Sequence, residues 1–425
     1  MNSTNPNPIP HNWAARFFTI WTGQAFSLFG SALVQFALIW WLTQKSGSAT
    51  VLAIAMLVGM LPQIVLGPFA GALVDRWNRR LIMMIADGTI AAFSLLLAWL
   101  FATGNVQIWH VYVVMAVRAL GGAFHFPAMA ASTPLMVPEQ HLTRVNGLNQ
   151  ALQGINSLIA PPVGAILLGL LSTQGVLLID VGTALLAILP LLFLSIPQPV
   201  RHDEHLTAKT NLLHDIRDAL AYIRTLPGFT AIIFMALFLN FLLVPTGALV
   251  PLLVTKHFGK GAIELGLLES AIGVGIILGG VILSVWGGFK KKIVTSIAGI
   301  IGLGIGVMLV GFAPASLFII AIAGNVILGF MMPIANGPIG ALMQSIVRPD
   351  MQGRVMSLLQ SGATAISPLG LLIAGPFSDL FGIRVWFWAG GIICVLIAVG
   401  AFFVPTIMNV ENVREGTQVA VPEQI

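Results

Sequence analysis

Residues 71–80 read GALVDRWNRR and lie at the junction of two long apolar runs, at residues 49–75 and 80–103. Each run is longer than the roughly 20 residues that a helix needs to cross the hydrocarbon core of a bilayer. The rest of the chain has the same character, since 57% of its 425 residues are hydrophobic and only 8% are charged. Soluble domains carry about 25% charged residues, so the composition argues against a water-soluble enzyme and predicts a polytopic membrane protein.

Twelve apolar runs are long enough to span a bilayer. They lie approximately at residues 15–43, 49–75, 80–103, 108–134, 144–171, 174–196, 227–254, 262–287, 291–313, 315–341, 353–379 and 383–406. We predict helices rather than barrel strands, because the runs do not alternate in hydropathy and helices satisfy their own backbone groups in lipid. The predicted fold class is therefore an all-α membrane protein with twelve transmembrane helices.

The positive charges predict the orientation of these spans. If both termini are cytoplasmic, the inner loops and termini hold fifteen lysines and arginines, the outer loops hold four, and Arg118 lies within a span. Cytoplasmic loops carry an excess of Lys and Arg, so we expect a multi-pass protein of the cell (inner) membrane with both termini in the cytoplasm. Topology thus accounts for the net charge of +5 without nucleic acid as a partner.

The long connector after the sixth run divides the chain into two halves. Residues in the fifth and eleventh spans match at a fixed offset of 210, as Arg144 matches Arg354 and Gln150 matches Gln360. Parallel repeats of six spans are how one large transporter class is built. We predict six-helix bundles at residues 1–196 and 227–408, a connector with an amphipathic helix at 197–226, and a cytoplasmic tail at 409–425.

The opening stretch is also the most specific motif in the chain. It fits the pattern G-x-L-x-D-R-x-x-R-R and resembles the signature of the major facilitator superfamily, at the expected connection between the second and third spans. The resemblance implies two pseudo-symmetric six-helix bundles and a gating role for these residues, with Asp75 as a latch against the start of the eleventh span. The motif residues are Gly71, Asp75, Arg76, Arg79 and Arg80.

A second motif lies in the fifth span. Gly147, Pro161 and Gly164 resemble the motif of the superfamily's exporting antiporters, although three of its glycine positions hold other residues. Segments at residues 23–25, 124–128 and 133–139 resemble the macrolide-efflux branch of bacterial drug exporters. The resemblance implies efflux of an amphipathic drug by proton antiport with alternating access, and a macrolide is the leading candidate for that drug. Two alternative functions remain: export of a siderophore or other metabolite, and a non-transporting membrane receptor or lipid-handling protein.

Few ionisable groups lie inside the spans. Such groups cost roughly 2.5–3.5 kcal/mol each on insertion scales and therefore indicate function. Arg118 lies near the middle of the fourth span, with Glu269, Asp180 and Asp87 as candidate partners and Glu269 as the first choice for the protonation site. His125 follows Arg118 by seven residues, on the same helix face, and is a candidate proton relay.

Polar stripes and isolated aromatic or methionine residues predict the lining of a substrate cavity, with interhelical hydrogen bonding as the alternative. The candidates are Gln24, Ser31, Phe124, Asn149, Gln153, Asn240, Met332, Asn336 and Gln360. No nucleotide-binding loop, nucleophile elbow or metal-ligand spacing appears in the sequence. We therefore expect no enzyme activity, cofactor or metal, and a monomer whose partners are the bilayer, protons and a small-molecule substrate.

Overall fold

The structure is a computed structural model and describes residues 12–198, 212–226 and 228–412. It is almost entirely helical in these ranges. The helices are α1 (Trp13–Ser46), α2 (Ala49–Arg76), α3 (Arg79–Ala102), α4 (Ile108–Met136), α5 (Glu139–Phe193), α6 (Leu212–Thr225), α7 (Phe229–Leu252), α8 (Ala262–Trp286), α9 (Lys292–Phe312), α10 (Phe318–Ile346), α11 (Pro349–Phe381), α12 (Ile383–Phe402) and α13 (Pro405–Met408). A π-helix at Leu253–His257 continues α7, and a 3₁₀ turn at Val410–Asn412 follows α13.

Eleven helices in the described ranges are long and apolar enough to cross a membrane. One of them, α5, spans 55 residues. A straight helix of that length would be about 80 Å long, far more than one bilayer requires. The helical geometry of α5 is interrupted at Ser172, where φ is 59°, between the predicted runs 144–171 and 174–196. Each of the other ten runs coincides with one helix, so the all-helical membrane fold is confirmed.

The described helices group into two compact units. The first holds α1, most of α2, α3, α4 and α5, together with Gly261–Gly266 at the start of α8. The second holds Ser48–Ala53 at the start of α2 and nearly all of the chain from α6 onward. Each unit has its own buried core, with Phe17 and Met83 in the first and Phe229 and Ile293 in the second.

A side-chain cap marks the start of α3. Asn78 immediately precedes α3, and its side-chain oxygen accepts hydrogen bonds from the backbone N–H groups of Arg80 (3.0 Å) and Leu81 (3.3 Å). Asparagine is among the preferred residues at this position, because it satisfies N–H groups that have no partner inside the helix. Local chemistry within the motif at residues 71–80 therefore starts α3.

Glycines let α8 and α10 pack backbone to backbone in the second unit. A methyl group added at Gly279 would lie 2.0 Å from the carbonyl oxygen of Phe330, and one added at Gly275 would lie 2.2 Å from that of Val326. Membrane helices use small residues at such contacts, because van der Waals packing replaces the hydrophobic effect in lipid. The distance between α8 and α10 therefore depends on these two glycines.

Gly279→Ala is expected to destabilise the second unit by about 1–3 kcal/mol, because the added methyl group forces two backbones apart. Gly280→Ala is the matched control, since no atom of the described residues lies within 4 Å of the methyl position there, and alanine is the better helix former. Thermal unfolding of the detergent-solubilised variants measures the difference. Equal midpoints for the two variants would contradict the close packing.

The connector helix α6 packs against the second unit. Ile223 is buried in the same core as Phe229, and the hydroxyl of Tyr222 accepts a hydrogen bond from the backbone N–H of Arg348 at 3.1 Å. The predicted helix within the connector is therefore present, and it belongs to the second unit.

The segment after α12 also folds onto the second unit. Val410 is fully buried, and the Glu411 carboxylate accepts a hydrogen bond from the backbone N–H of Ile293 at 2.9 Å. A negative charge at a helix N-terminus is favourable, and Ile293 lies in the first turn of α9. The first residues of the predicted tail are thus folded, while residues 413–425 lie outside the described residues.

Candidate functional site

A buried ion pair links α4 and α5 inside the first unit. Arg118 Nη1 lies 2.5 Å from Asp180 Oδ2, and the two side chains are 9% and 1% exposed. Single charges are costly inside a membrane protein, so they are normally paired with one another or with backbone carbonyls. Of the three acids considered as partners of Arg118, Asp180 is the one in contact with it.

Two serines complete the hydrogen bonding of this pair. Ser94 donates to Asp180 Oδ2 (2.8 Å) and accepts from Arg118 Nη1 (2.9 Å). Ser31 donates to Asp180 Oδ1 (3.2 Å), and its carbonyl oxygen accepts from Arg118 Nη2 (3.2 Å). Further hydrogen bonds of this kind are what make a buried ion pair tolerable. We call Ser31, Ser94, Arg118 and Asp180 the arginine layer.

A second polar group, the histidine layer, consists of Gln24, Asp87 and His125. His125 Nε2 lies 2.8 Å from Gln24 Oε1 and 3.5 Å from Asp87 Oδ1. Gln24 Nε2 donates to Asp87 Oδ2 at 3.1 Å. Gln24 and Asp87 are only 2% and 4% exposed. The layer therefore joins two titratable side chains through one buried amide.

The two layers are stacked along the same helices. α1, α3 and α4 each contribute one residue to each layer, seven positions apart, namely Gln24 and Ser31, Asp87 and Ser94, and Arg118 and His125. Seven residues correspond to about two turns, or about 10 Å along a helix axis, and return to the same face. A cavity of about 230 Å³ reaches both layers, because Gln24, Asp87, Arg118 and His125 all line it. The first unit thus encloses two titratable pairs beside one cavity.

Glu269 belongs to neither layer. It lies in the second unit, about two turns into α8, and is half-buried. Its carboxylate has no hydrogen bond or ion pair within the part of the chain that the structure describes. It therefore differs from Asp180 and Asp87, whose partners are fixed.

The remaining candidates for substrate contact in the first unit have specific neighbours. The ring of Phe124 stacks on that of Trp77, with centroids 6.4 Å apart and an interplanar angle of 23°. Asn149 Oδ1 accepts a hydrogen bond from Trp21 Nε1 at 2.7 Å, whereas Gln153 is exposed. Phe124 and Asn149 are therefore held by aromatic partners, and Gln153 is accessible.

The candidates in the second unit are more open. Asn336 and Met332 are exposed, and the Asn336 amide donates to the Met332 carbonyl oxygen at 3.0 Å. Asn240 donates to the Ala236 carbonyl oxygen of its own helix at 2.9 Å. The side chain of Gln360 lies outside the described residues. The amides that are described contact their own helices, so the structure does not draw them into one cluster.

The arginines of the charged motif fasten the turn after α2 to neighbouring helices. Arg79 is buried and donates to the Ala131 carbonyl oxygen of α4 at 2.7 Å. Arg80 donates to carbonyl oxygens at the end of α5, including that of Leu192 at 2.7 Å, where helical carbonyls lack partners. The side chain of Asp75 lies outside the described residues, so its latch stays a prediction. Both arginines are thus placed to hold the turn rigidly.

The other two residues of the charged motif lie near the end of α2. Among the described residues, no atom lies within 4 Å of a methyl group built on Gly71. Arg76 is exposed. Among the motif residues whose hydrogen bonds are given above, Arg79 and Arg80 are anchored to neighbouring helices.

The antiporter-like motif in α5 lies at close helix contacts. A methyl group at Gly164 would lie 3.0 Å from the ring of Phe36 on α1. The backbone of Pro161 faces Gly266, where a methyl group would lie 2.9 Å from the Pro161 carbonyl oxygen. At Gly147, no atom in the part of the chain that the structure describes lies within 4 Å of the methyl position. Two of the three motif residues therefore serve close packing within the first unit.

Ser94 is the residue of the layers that the sequence analysis missed. It is completely buried and bridges Arg118 and Asp180. A signal was present, because Ser94 follows Asp87 by seven residues, the same spacing that Ser31 has from Gln24 and His125 from Arg118. Comparing this spacing among several apolar runs would have identified Ser94.

The sequence matches the family model of the Major Facilitator Superfamily over residues 20–294 and 245–422. The chain belongs to this superfamily. The resemblance drawn from residues 71–80 is thereby confirmed, and the two matched regions together extend over nearly all of the described helices. The protein is accordingly a multi-pass membrane transporter rather than an enzyme.

Named relatives and solved structures agree with this assignment. The chain is 35% identical to Macrolide efflux protein A of Streptococcus pyogenes over 389 residues, which cover 92% of this chain and 96% of that protein. It is 27% identical to Multidrug efflux pump Tap of Mycolicibacterium fortuitum over 399 residues, 90% of this chain and 94% of that protein. The crystal structure of a D-xylose-proton symporter superposes with a TM-score of 0.67 at 16% identity, covering 92% of this chain and 98% of that one. The last comparison shows the fold alone.

Proposed function

We propose that this superfamily transporter exports an amphipathic drug in exchange for protons, with macrolide antibiotics as the first class to test. The relatives named for macrolide and multidrug efflux support the choice of cargo. One observation carries the coupling to protons: two titratable pairs, His125–Asp87 and Arg118–Asp180, lie beside one cavity inside a bundle of apolar helices. Intramembrane ionisable groups of this kind typically serve ion or substrate pathways.

A proton gradient is an adequate energy source. The sequence carries no P-loop, so the uphill export of a drug must draw on an ion gradient. One proton moving down 100 mV releases about 2.3 kcal/mol, which supports a gradient of about fiftyfold for a neutral drug at one-to-one exchange.

We assign the proton-binding step to Glu269 and the relay to the histidine layer. Glu269 has no countercharge among the described residues to offset the free energy of placing an ionised carboxylate in the membrane. Binding a proton neutralises the carboxylate and removes this cost. His125 and Asp87 can exchange a proton over a short distance, because Nε2 and Oδ1 are 3.5 Å apart. Arg118 and Asp180, one layer away, form a neutral pair whose separation would expose both charges.

The conformational cycle follows from the motif at residues 71–80. We propose alternating access with both termini in the cytoplasm, in which Asp75 and Arg76 hold one state closed while Arg79 and Arg80 keep the turn rigid. The drug pathway is proposed to use the candidate residues outside the layers. These are Phe124, Asn149, Gln153, Asn240, Met332, Asn336 and Gln360.

Purified protein in proteoliposomes tests this proposal. An imposed pH gradient is expected to drive uptake of a labelled macrolide into inside-out vesicles, and a pH-sensitive dye inside should record proton release when the macrolide is added. A tetracycline, a catecholate siderophore and a lysolipid are assayed in parallel, and an ionophore that collapses the gradient is the control. Macrolide flux that is indifferent to the ionophore would overturn proton antiport. Saturable binding without flux would favour a receptor, and siderophore flux alone would replace the drug as cargo.

A further inference from the structure

Gln24 does more than line a cavity, because its amide is constrained at both ends. An ionised carboxylate only accepts hydrogen bonds, so the amide nitrogen must face Asp87, as it does at 3.1 Å. The amide oxygen then faces His125 Nε2 at 2.8 Å and requires a proton on that nitrogen. With Asp87 ionised, this arrangement selects the form of His125 that is protonated at Nε2.

We propose that Gln24 is a positioning residue that couples the protonation of Asp87 to the proton on His125 Nε2. This inference rests on the proposed proton antiport and names the device that sets the order of the proton transfers. The amide has two arrangements in which every hydrogen bond is satisfied, and they correspond to two positions of one proton. The orientation of the Gln24 amide therefore depends on whether the proton is on His125 Nε2 or on the Asp87 carboxyl group.

The proton balance of the two arrangements is simple. In the first, Asp87 is ionised and His125 carries protons on both ring nitrogens. The Nε2–H bond then breaks, an O–H bond forms on the Asp87 carboxyl group, and the Nε2 lone pair is released. The amide rotates so that its oxygen accepts from the Asp87 hydroxyl while its nitrogen donates to the bare Nε2. The charged pair becomes a neutral pair, and no proton leaves the layer.

We assign proton entry from the cavity to the other ring nitrogen. His125 Nδ1 has no hydrogen-bond partner among the described residues, and His125 lines the 230 Å³ cavity. A proton can therefore enter at Nδ1 while Nε2 delivers one to Asp87. The charged groups around the histidine layer are Asp87 on α3, Arg118 on α4 and Asp180 on α5, and the last two neutralise each other. Asp87 is thus the acid that exchanges protons with His125.

Gln24→Leu tests the proposal, because leucine has a similar volume and makes neither hydrogen bond. We expect pH-driven macrolide exchange in proteoliposomes to fall about tenfold or more, as befits the loss of a buried hydrogen bond to a charged group. Its pH profile should also shift relative to the wild type. Gln63→Leu is the matched control, since Gln63 is an exposed glutamine of α2 without a hydrogen-bond partner among the described residues.

A double substitution separates positioning from a general structural effect. If Gln24 acts through Asp87, Gln24→Leu should cost little further exchange in an Asp87→Asn background, because residues that act as a unit are not additive. Equal losses in both backgrounds, or a loss no larger than that of Gln63→Leu, would overturn the proposal.

Nitrogen-15 NMR of histidine-labelled protein supplies a readout that does not require transport. The His125 signal, assigned by its absence in His125→Asn, is expected to show Nε2 protonated in the wild type at neutral pH and a mixture of tautomers in Gln24→Leu. Identical spectra would overturn the positioning role. A wild type without pH-driven exchange would instead refute the proposed function, and the spectra would still decide whether Gln24 positions the imidazole.

Discussion

Asp180→Asn is expected to destabilise the folded protein by about 3–5 kcal/mol, because it leaves Arg118 as an unpaired charge among buried groups. Ser94 and Ser31 remain as hydrogen-bond partners of Arg118, but they carry no negative charge. Thermal unfolding in detergent measures the loss. Arg144→Leu is the control for removing a single charge from the first unit, since Arg144 is exposed near the start of α5.

The double variant Arg118→Leu with Asp180→Leu distinguishes the structural from the functional role of the pair. Replacing both ions with apolar residues of similar size removes the buried charges together and is often neutral or stabilising. We therefore expect the double variant to recover most of the stability that Asp180→Asn loses, but to lack pH-driven exchange. A double variant that exports macrolide normally would show that the arginine layer is only a packing device.

Glu269→Gln is expected to reduce pH-driven export by about 100-fold or more, the range typical of removing a proton-transfer group, with expression and unfolding midpoint unchanged. Glutamine keeps the shape of glutamate but binds no proton, and Glu269 has no partner among the described residues whose loss could destabilise the fold. Flux driven by a drug gradient alone, at equal pH on both sides, is expected to persist. The comparison of the two flux modes is the decisive measurement.

Glu264→Gln is the matched control for this prediction. Glu264 lies on the same helix, five residues earlier, and its carboxylate accepts a hydrogen bond from the backbone N–H of Gly261 at 3.0 Å. Its role at the first turn of α8 is structural, so export should keep its pH dependence. If both variants retain pH-driven export, Glu269 is not the proton-binding residue. Proton coupling would then have to be assigned to the titratable residues of the first unit.

The fold was predictable because it depends on a property that each segment carries by itself. Lipid offers the backbone no hydrogen-bond partners, so every apolar run of sufficient length must become a helix. The motif at residues 71–80 then identified the superfamily, and its Asn78 also starts α3 through a purely local contact. The break in α5 at Ser172 lies between the two apolar runs predicted at residues 144–171 and 174–196.

The candidate site was predictable only in part. Arg118, Asp180, Asp87 and His125 stand out because charges are rare in apolar runs, but hydropathy does not reveal which acid faces which base. Asp180 rather than Glu269 contacts Arg118 because the packing of α1, α3, α4 and α5 places it there.

By itself, the sequence determined that the chain is a helical membrane transporter of the major facilitator superfamily, because span length, charge placement and a local motif suffice for that. Only the tertiary structure decided which polar residues meet. Gln24 and Ser94 acquired their roles from neighbours 63 and 86 positions away along the chain. Side-chain contacts between helices depend on helix rotation and crossing, and these are set by packing that no single segment encodes.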